Sequence, residues 1–210
     1  MAMPEQIKNR NLLAGPLSND CMSTPGINAR TIDSFIEGEV AAFGQIYDQT
    51  AKLIYNVVLR IVTNEKDAED ITQDTYVQAF EKRGSFNGLS DISTWLYRIA
   101  VNRALNFCKR KKYVAALSDS LAYFLGGRQN ENDLQSMEDE NRDILLVKKL
   151  LGKINPDFRT CIVLCEIENK SYQQIADILG INIGTVRSRI NRGKVEIKEL
   201  YKRMGERNET

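Results

Sequence analysis

Between Asn155 and Leu200 the chain spells out a run of helices whose caps and turns leave little freedom in how they fold. Asn155-Pro156 is an N-cap residue followed by proline at the first helical position, where the missing N–H costs nothing. The helix it opens carries Phe158, Ile162, Val163 and Cys165 and ends near Asn169-Lys170. Ser171-Tyr-Gln-Gln174 then has capping-box form, a hydroxyl followed three residues later by Gln. That helix is short: Ile175, Ile178 and Leu179 face inward and Gly180 stops it. Ile181-Asn182 is the turn, with Asn182 as the cap of a longer helix that packs through Val186, Ile190 and Ile197. A short helix, a glycine turn and a second, longer helix make a helix-turn-helix, which lays its second helix in the major groove of DNA.

Charge supports that use. From Thr185 to Arg203 there are seven bases and two acids, a local balance of +5. The second helix exposes Arg187, Ser188, Arg189, Arg192 and Lys194 around its small core. Arginine can contact guanine bidentately in the groove, and the remaining bases suit phosphates. The competing reading is a basic solvated helix in an ordinary helical hairpin. Gly193 weakens its helix by about 1 kcal/mol relative to alanine, and the sequence offers no reason for it.

The rest of the chain is also helical in pattern. Residues 1–30 are polar, broken by Pro4, Gly15, Pro16, Pro25 and Gly26, and read as a flexible extension. Apolar residues from Phe35 to Ile61 recur at helical spacing and predict two helices, or one with a break. After a turn at Thr63-Asn64-Glu65 comes a helix to about Lys82. Its Ala68, Ile71, Thr75 and Ala79 face a core, with Tyr76 and Phe80 at the edge, while Asp70, Gln73, Asp74, Val77 and Glu81 line another face. Gly84 to Asp91 is a loop. A fourth helix begins near Ser93, carries Trp95, Leu96, Ile99, Ala100, Ala104 and Leu105, and ends in the basic run Lys109–Lys112. Residues 113–142 hold six acids and two bases and are broken at Gly126-Gly127, which predicts an acidic linker containing a short helix. No strand-like alternation occurs. The expected fold is all-α: two small helical domains, 31–112 and 143–204, joined by a flexible acidic linker at 113–142. The second is a four-helix helix-turn-helix domain, followed by a tail at 205–210.

Composition removes other classes. The 210 residues suffice for one medium domain or two small ones, and 42% apolar with 27% charged residues is a globular profile. There is no histidine, so the commonest general base and metal ligand are both missing. The four cysteines form no CxxC pair. Cys161 and Cys165, four apart in an apolar run, read as small buried hydrophobes, with a redox pair or metal half-site as the alternative. No phosphate-binding glycine loop is present. No catalytic residue, metal or cofactor is expected, and an enzyme is the weakest reading. No apolar stretch approaches a membrane span and no signal-peptide pattern opens the chain, so the default compartment is the cytoplasm.

The first domain narrows the choice. Asp67-Ala-Glu-Asp-Ile-Thr-Gln-Asp-Thr-Tyr-Val-Gln-Ala-Phe80, then Phe86, then Ser93-Thr-Trp-Leu-Tyr-Arg-Ile-Ala-Val-Asn-Arg-Ala-Leu-Asn106, resembles the promoter-binding domain of bacterial RNA polymerase sigma factors of the extracytoplasmic-function type. Leu-Cys-Glu-Ile-Glu-Asn-Lys-Ser-Tyr-Gln-Gln-Ile-Ala-Asp-Ile-Leu-Gly180 and Gly184-Thr-Val-Arg-Ser-Arg189 are similar to the promoter-distal domain of that group. The resemblance covers about residues 35–112 and 143–203, in the expected order.

The resemblance implies roles residue by residue. Asp70, Gln73, Asp74 and Val77 would dock on the clamp helices of the polymerase largest subunit. A stripe of carboxylates and amides suits a basic partner helix, although such a stripe is by itself more often plain surface. The loop with Asn87, Leu89, Ser90 and Asp91 and the helix after it would meet the opened strand of the −10 element, through base extrusion and stacking. Asp91 departs from the small or basic residues usual near that place. Asn102, Arg103 and Asn106 form a stripe that could touch DNA, and Arg98 and the cluster Lys109 to Lys112 suit phosphates. Trp95 and Tyr97 are ambiguous; among Leu96 and Ile99, a tryptophan fits the core better than a base-stacking role. Thr185, Arg187, Ser188, Arg189 and Arg192 would meet the −35 element as duplex. An anti-sigma protein is an implied further partner. The acids Glu138, Asp139 and Glu140 could mimic nucleic acid in the polymerase channel. The runner-up is an ordinary helix-turn-helix regulator that never joins polymerase; it explains 143–203 but leaves Asp67–Lys82 and the loop before Trp95 without a purpose. A module that binds only protein is disfavoured by the basic recognition helix.

Overall fold

A computed structural model describes residues 27–125, 146–147 and 149–206. Residues 1–26 of the N-terminal extension, with Cys21, the Gly126-Gly127 break, the acids Glu138–Glu140 and the last four residues lie outside the described residues; the extension's last residues, Ala29 and Arg30, are helical rather than flexible chain.

The apolar run from Phe35 to Ile61 resolves into two helices. α1 (Ala29–Glu37) starts on Asn28, whose side chain accepts the N–H of Thr31, and stops at Gly38. Gly38 takes the left-handed conformation (φ 97°), which lets its N–H reach the carbonyls of Ser34 and Phe35. A Cβ there would also press on the Arg83 guanidinium, 3.0 Å away. α2 (Val40–Val62) ends on Thr63, itself left-handed at φ 62°. Asn64 restarts the chain by capping α3 (Glu65–Glu81) through the Asp67 N–H, 2.9 Å. A short 3₁₀ turn, Arg83–Ser85, leads to the loop, and α4 runs from Ile92 to Leu125. The basic run at Lys109–Lys112 is therefore no helix end. α4 continues through it into the segment read as linker.

Helices α1 to α4 close on Ile46, Ile54, Val57, Val58, Ile61, Ala68, Leu96, Ala100, Val101 and Ala104, all almost fully buried. Tyr76, expected at the edge, is inside at 3% exposure. Its hydroxyl can be buried because Thr50 Oγ1 sits 2.6 Å away, and Thr50 in turn donates to the Ile46 carbonyl. Trp95 is half-buried between the rings of Phe35 and Phe86, at 6.3 and 5.5 Å, which bears out the core reading.

The second domain follows the capping signals closely. Residues 149–153 are helical. α5 (Pro156–Ile162) starts on Asn155, which accepts the Asp157 N–H, and passes into a π-helical turn, Val163–Ile167. α6 (Tyr172–Leu179) carries both halves of the Ser171/Gln174 capping box and ends at a left-handed Gly180. α7 (Ile183–Glu206) starts on Asn182, whose side chain accepts the Gly184 N–H at 2.7 Å. Gly193 now has a reason. A Cβ at that position would lie 2.5 Å from Ile162 Cδ1 and 3.1 Å from Phe158 Cβ, so the missing side chain leaves room for α5 to pack closely on α7.

The two domains do not stand apart. Cys161, Leu164, Ile175, Ile178, Val186 and Ile190 belong to the same buried cluster as the first domain's core. Leu151, Ile154 and Ile162 form a second, smaller one. Burial pushes the Cys161 thiol up to about 11 and raises those of Cys165 and Cys108, so all three sit as protonated thiols at neutral pH.

Candidate nucleic-acid interface

The acid-and-amide stripe lies where the periodicity of α3 puts it. Asp70, Gln73, Asp74 and Val77 are all exposed, on the side away from buried Ala68, Ile71, Thr75 and Ala79. Val77 is 58% exposed, an apolar side chain within a polar stripe. Asp74 also pairs with Arg103 of α4, and Gln78 accepts from the same guanidinium at 3.3 Å. Two turns earlier Asp67 pairs with Lys111 at 2.8 Å. The first domain's acidic helix thus neutralises part of its basic one.

The loop between them is anchored at its ends. Phe86 is buried under Trp95. Asp91, expected to meet DNA, is engaged locally: its Oδ1 accepts the N–H of Ser93 at 2.7 Å and the Ser93 hydroxyl at 2.6 Å, fixing the start of α4. Between these anchors Asn87 accepts the Leu89 N–H at 3.2 Å, and Gly88, left-handed at φ 71°, turns the chain so that Leu89 stands out at 87% exposure. Ser90 is half-buried. Along α4, Arg98, Asn102, Asn106 and Lys109 are exposed on one stripe, whereas Arg103 is half-buried against α3. Tyr97 lies inside, and its hydroxyl donates to Glu168 at 2.9 Å.

Of the residues expected to meet the −35 element, Thr185, Arg187, Ser188 and Arg192 are exposed on α7. Arg187 and Arg192 form no ion pair with any described residue. Arg189 departs from the expectation. It falls three residues after Val186 and four before Gly193, on the flank of the buried stripe, and it is half-buried 3.5 Å from Asp157. Lys194 is exposed but held by Glu166 at 2.7 Å; that hydrogen bond raises its pKa.

Sequence reasoning missed the groups that join the domains: Arg60, Asp157, Arg159 and Glu168. The Arg60–Glu168 contact spans 108 residues and the Arg159–Ile61 contact 98, and no local pattern encodes either. Among the described residues no cluster of His, Cys, Asp and Glu could hold a metal ion, and no helix is long and apolar enough to cross a membrane.

Comparison with known proteins gives this geometry a family. The Sigma-70 region 2 model matches residues 46–113, and the Sigma-70, region 4 model matches residues 136–197. The ECF RNA polymerase sigma factor SigW of Bacillus subtilis is 33% identical over 173 residues, which cover 77% of this chain and 90% of that protein. The chain belongs to the extracytoplasmic-function sigma factors. Another relative, the ECF RNA polymerase sigma factor SigE of Mycolicibacterium smegmatis, is 30% identical over 78% of this chain, a match that spans only 63% of its own length. Among solved structures, the sigma factor RpoE from Bartonella quintana, in complex with the anti-sigma factor NepR, superposes with a TM-score of 0.59 at 27% identity, covering 76% of this sigma factor and 96% of that chain. The region 2 match thus falls on α2, α3 and the first two-thirds of α4, and the region 4 match on α5, α6 and most of α7.

Proposed function

We propose that this sigma factor binds core RNA polymerase through α3 and directs it to promoters by gripping two DNA elements. The observation that carries the reading is the pairing, on one chain and in order, of a region 2 unit with an exposed acid-and-amide stripe and a region 4 unit with an exposed arginine helix. An ordinary helix-turn-helix regulator would account for the second unit only.

In this mechanism no covalent chemistry belongs to the chain. Asp70, Gln73, Asp74 and Val77 anchor to a basic helical surface of the polymerase. Leu89, held out by Asn87 and Gly88, meets unstacked bases of the opened −10 strand, as apolar side chains do where duplexes are parted. Arg98, Asn102, Asn106 and Lys109 follow the backbone of that strand, and Asp91 serves the loop as its cap. Thr185, Arg187, Ser188 and Arg192 read the −35 duplex in the major groove. Contacts made only with the unpaired strand favour the open complex, since a ligand shifts an equilibrium by its differential affinity for the two states. The cytoplasm is where such a factor meets its polymerase, and an anti-sigma protein, as in the RpoE structure, is the further partner expected.

Run-off transcription with bacterial core polymerase on a randomised promoter library tests this directly. The expected result is transcripts from a defined class of two-element promoters that core enzyme alone does not produce. Start sites indistinguishable from those of core enzyme alone would refute it.

A further inference from the structure

The loop that presents Leu89 is anchored by Phe86 and Asp91, and just before Phe86 stands a residue that promoter contact leaves unused. Arg83 opens the 3₁₀ turn between α3 and the loop and is half-buried. Its Nη1 donates to the Phe80 carbonyl at 2.9 Å, in the last turn of α3, and its guanidinium carbon lies 4.7 Å from the centre of the Phe80 ring. On its other side it meets the end of α1. A Cβ at Gly38 would come within 3.0 Å of Arg83 Nη2, 3.1 Å of Nε and 3.3 Å of Cζ. Neither α1 nor α3 has a base of its own in its last turn. One cation thus serves the negative ends of two helices. Its Nε is buried without an acceptor among the described residues, so close fit rather than a full set of hydrogen bonds holds the group.

This junction bears on the loop from both sides. The Ser85 N–H donates to the Lys82 carbonyl at 2.8 Å and the Phe86 N–H to that of Arg83 at 3.0 Å, so the turn is counted from Arg83. Fixing Arg83 therefore fixes where Phe86 enters the core, and Leu89 follows three residues on. α1 also reaches the loop's other support. Phe35, one turn before Gly38, meets the Trp95 ring at 6.3 Å, and Trp95 covers Phe86 at 5.5 Å. A single turn of α1 thus addresses both supports, and α1 lies ahead of the region 2 match, which starts at Ile46. A base can be read only by a side chain already held in place, since disorder in the loop lowers the fraction of molecules ready to bind.

We propose that Arg83, seated on Gly38, is the positioning residue of the base-reading loop: it joins the C-terminal ends of α1 and α3 and so sets the place at which Leu89 is offered to an unstacked base. Its consequence for DNA rests on the promoter-binding reading, whereas its hold on the loop can be measured without DNA.

The test uses the full chain with Arg83→Gln, with Gly38→Ala and with both, each checked for helical content by circular dichroism. Arg83→Gln removes the cation; Gly38→Ala keeps it and takes away its seat. Amide hydrogen exchange over residues 84–91 should quicken about tenfold in either single variant, with the buried amides of α2 and α4 unchanged. The second reading is a random-sequence single-stranded DNA pool, sequenced before and after binding. Wild type should enrich a short motif. The variants should bind the whole pool within about twofold of wild type, because Arg98 and Lys109 are untouched, yet lose about tenfold in enrichment, as expected if the loop is in place about a tenth of the time. A merely structural role would lower binding through loss of folded protein and leave the motif intact. The double variant should match the single ones, since both remove one contact. Unchanged exchange over 84–91 in folded Arg83→Gln would overturn the positioning role, whatever wild type binds. Faster exchange with full enrichment would separate loop order from base reading and overturn it as well. Effects that add in the double variant would overturn Gly38 as the seat. Faster exchange with no motif enriched even by wild type would uphold the hold on the loop and remove the −10 reading instead.

Discussion

The two domains hold their DNA-facing helices by opposite means. In the first, α4 is tied to α3 by side chains at its rim, Arg103 to Asp74 and Gln78 and Lys111 to Asp67, over an aromatic core of Phe35, Phe43, Tyr76 and Trp95. In the second, α7 is set by backbone proximity at Gly193, with ion pairs only on its flanks. The consequence is electrical. The bases at the rim of α4 are partly neutralised by the helix that would meet the polymerase, whereas the outward arginines of α7 are unpaired among the described residues. On the proposed reading, the first domain exchanges partners to bind DNA, and the second is ready.

The sharpest way to break this comparison is Gly193→Val. If α7 were positioned by its side-chain pairs, the substitution would be tolerated. If the close approach to Phe158 and Ile162 positions it, overpacking should cost toward the top of the usual range of about 1–3 kcal/mol. Thermal unfolding reads the difference, and an unchanged melting temperature would dismiss the glycine contact. Next comes Arg187→Ala, expected to weaken −35 duplex binding by about 2 kcal/mol if the guanidinium reads a base edge. Titration on matched and mismatched duplexes separates base reading, which relaxes specificity at one position, from a phosphate contact, which weakens all sequences alike. Smaller still is Ser171→Ala. It removes one half of the capping box at the start of α6 and should cost about 1 kcal/mol in urea unfolding, with no direct effect on the first domain.

Most of the secondary structure was legible in the sequence because its signals are local. Asn155-Pro156, Ser171 with Gln174, Gly180 and Asn182 each act within four residues and each does in the structure what its spacing implies. The stripe of Asp70, Gln73, Asp74 and Val77 was legible for the same reason. What escaped is set by contacts between distant segments. Gly193 looked like a defect in α7 because its justification, Ile162 and Phe158, lies on another helix. Arg189 sits in the same basic run as Arg187, and only the path of the buried stripe turns it toward Asp157. The end of α4 was misread at Lys109–Lys112 because clustered bases resemble a helix C-terminus, while those of α4 are surface groups partly paired with Asp67 and Asp157. The cap that Asp91 places on the next helix is a local signal as well, two residues from Ser93, and the family's pattern in the loop drew the eye to DNA instead.

The smallest expected effect tests the comparison most finely. Asp74 is 61% exposed and Arg103 32%, so their pair is a solvent-screened one worth about 0.2–1 kcal/mol. Asp74→Asn keeps the shape and removes the charge that Arg103 faces. On the free factor, binding of an opened −10 strand should rise, by no more than about fivefold for about 1 kcal/mol. Binding to core polymerase should fall in the same variant, because the stripe loses a carboxylate. The −35 duplex affinity should not move, since α7 takes no part in the pair. All of this should shrink as salt is raised past the point where exposed charges are screened. One substitution with opposite signs on two partners is what a shared residue predicts. If strand binding and polymerase binding fell together, Asp74 would be holding α3 against α4 rather than competing for Arg103, and the two domains would differ less in readiness than their charges suggest.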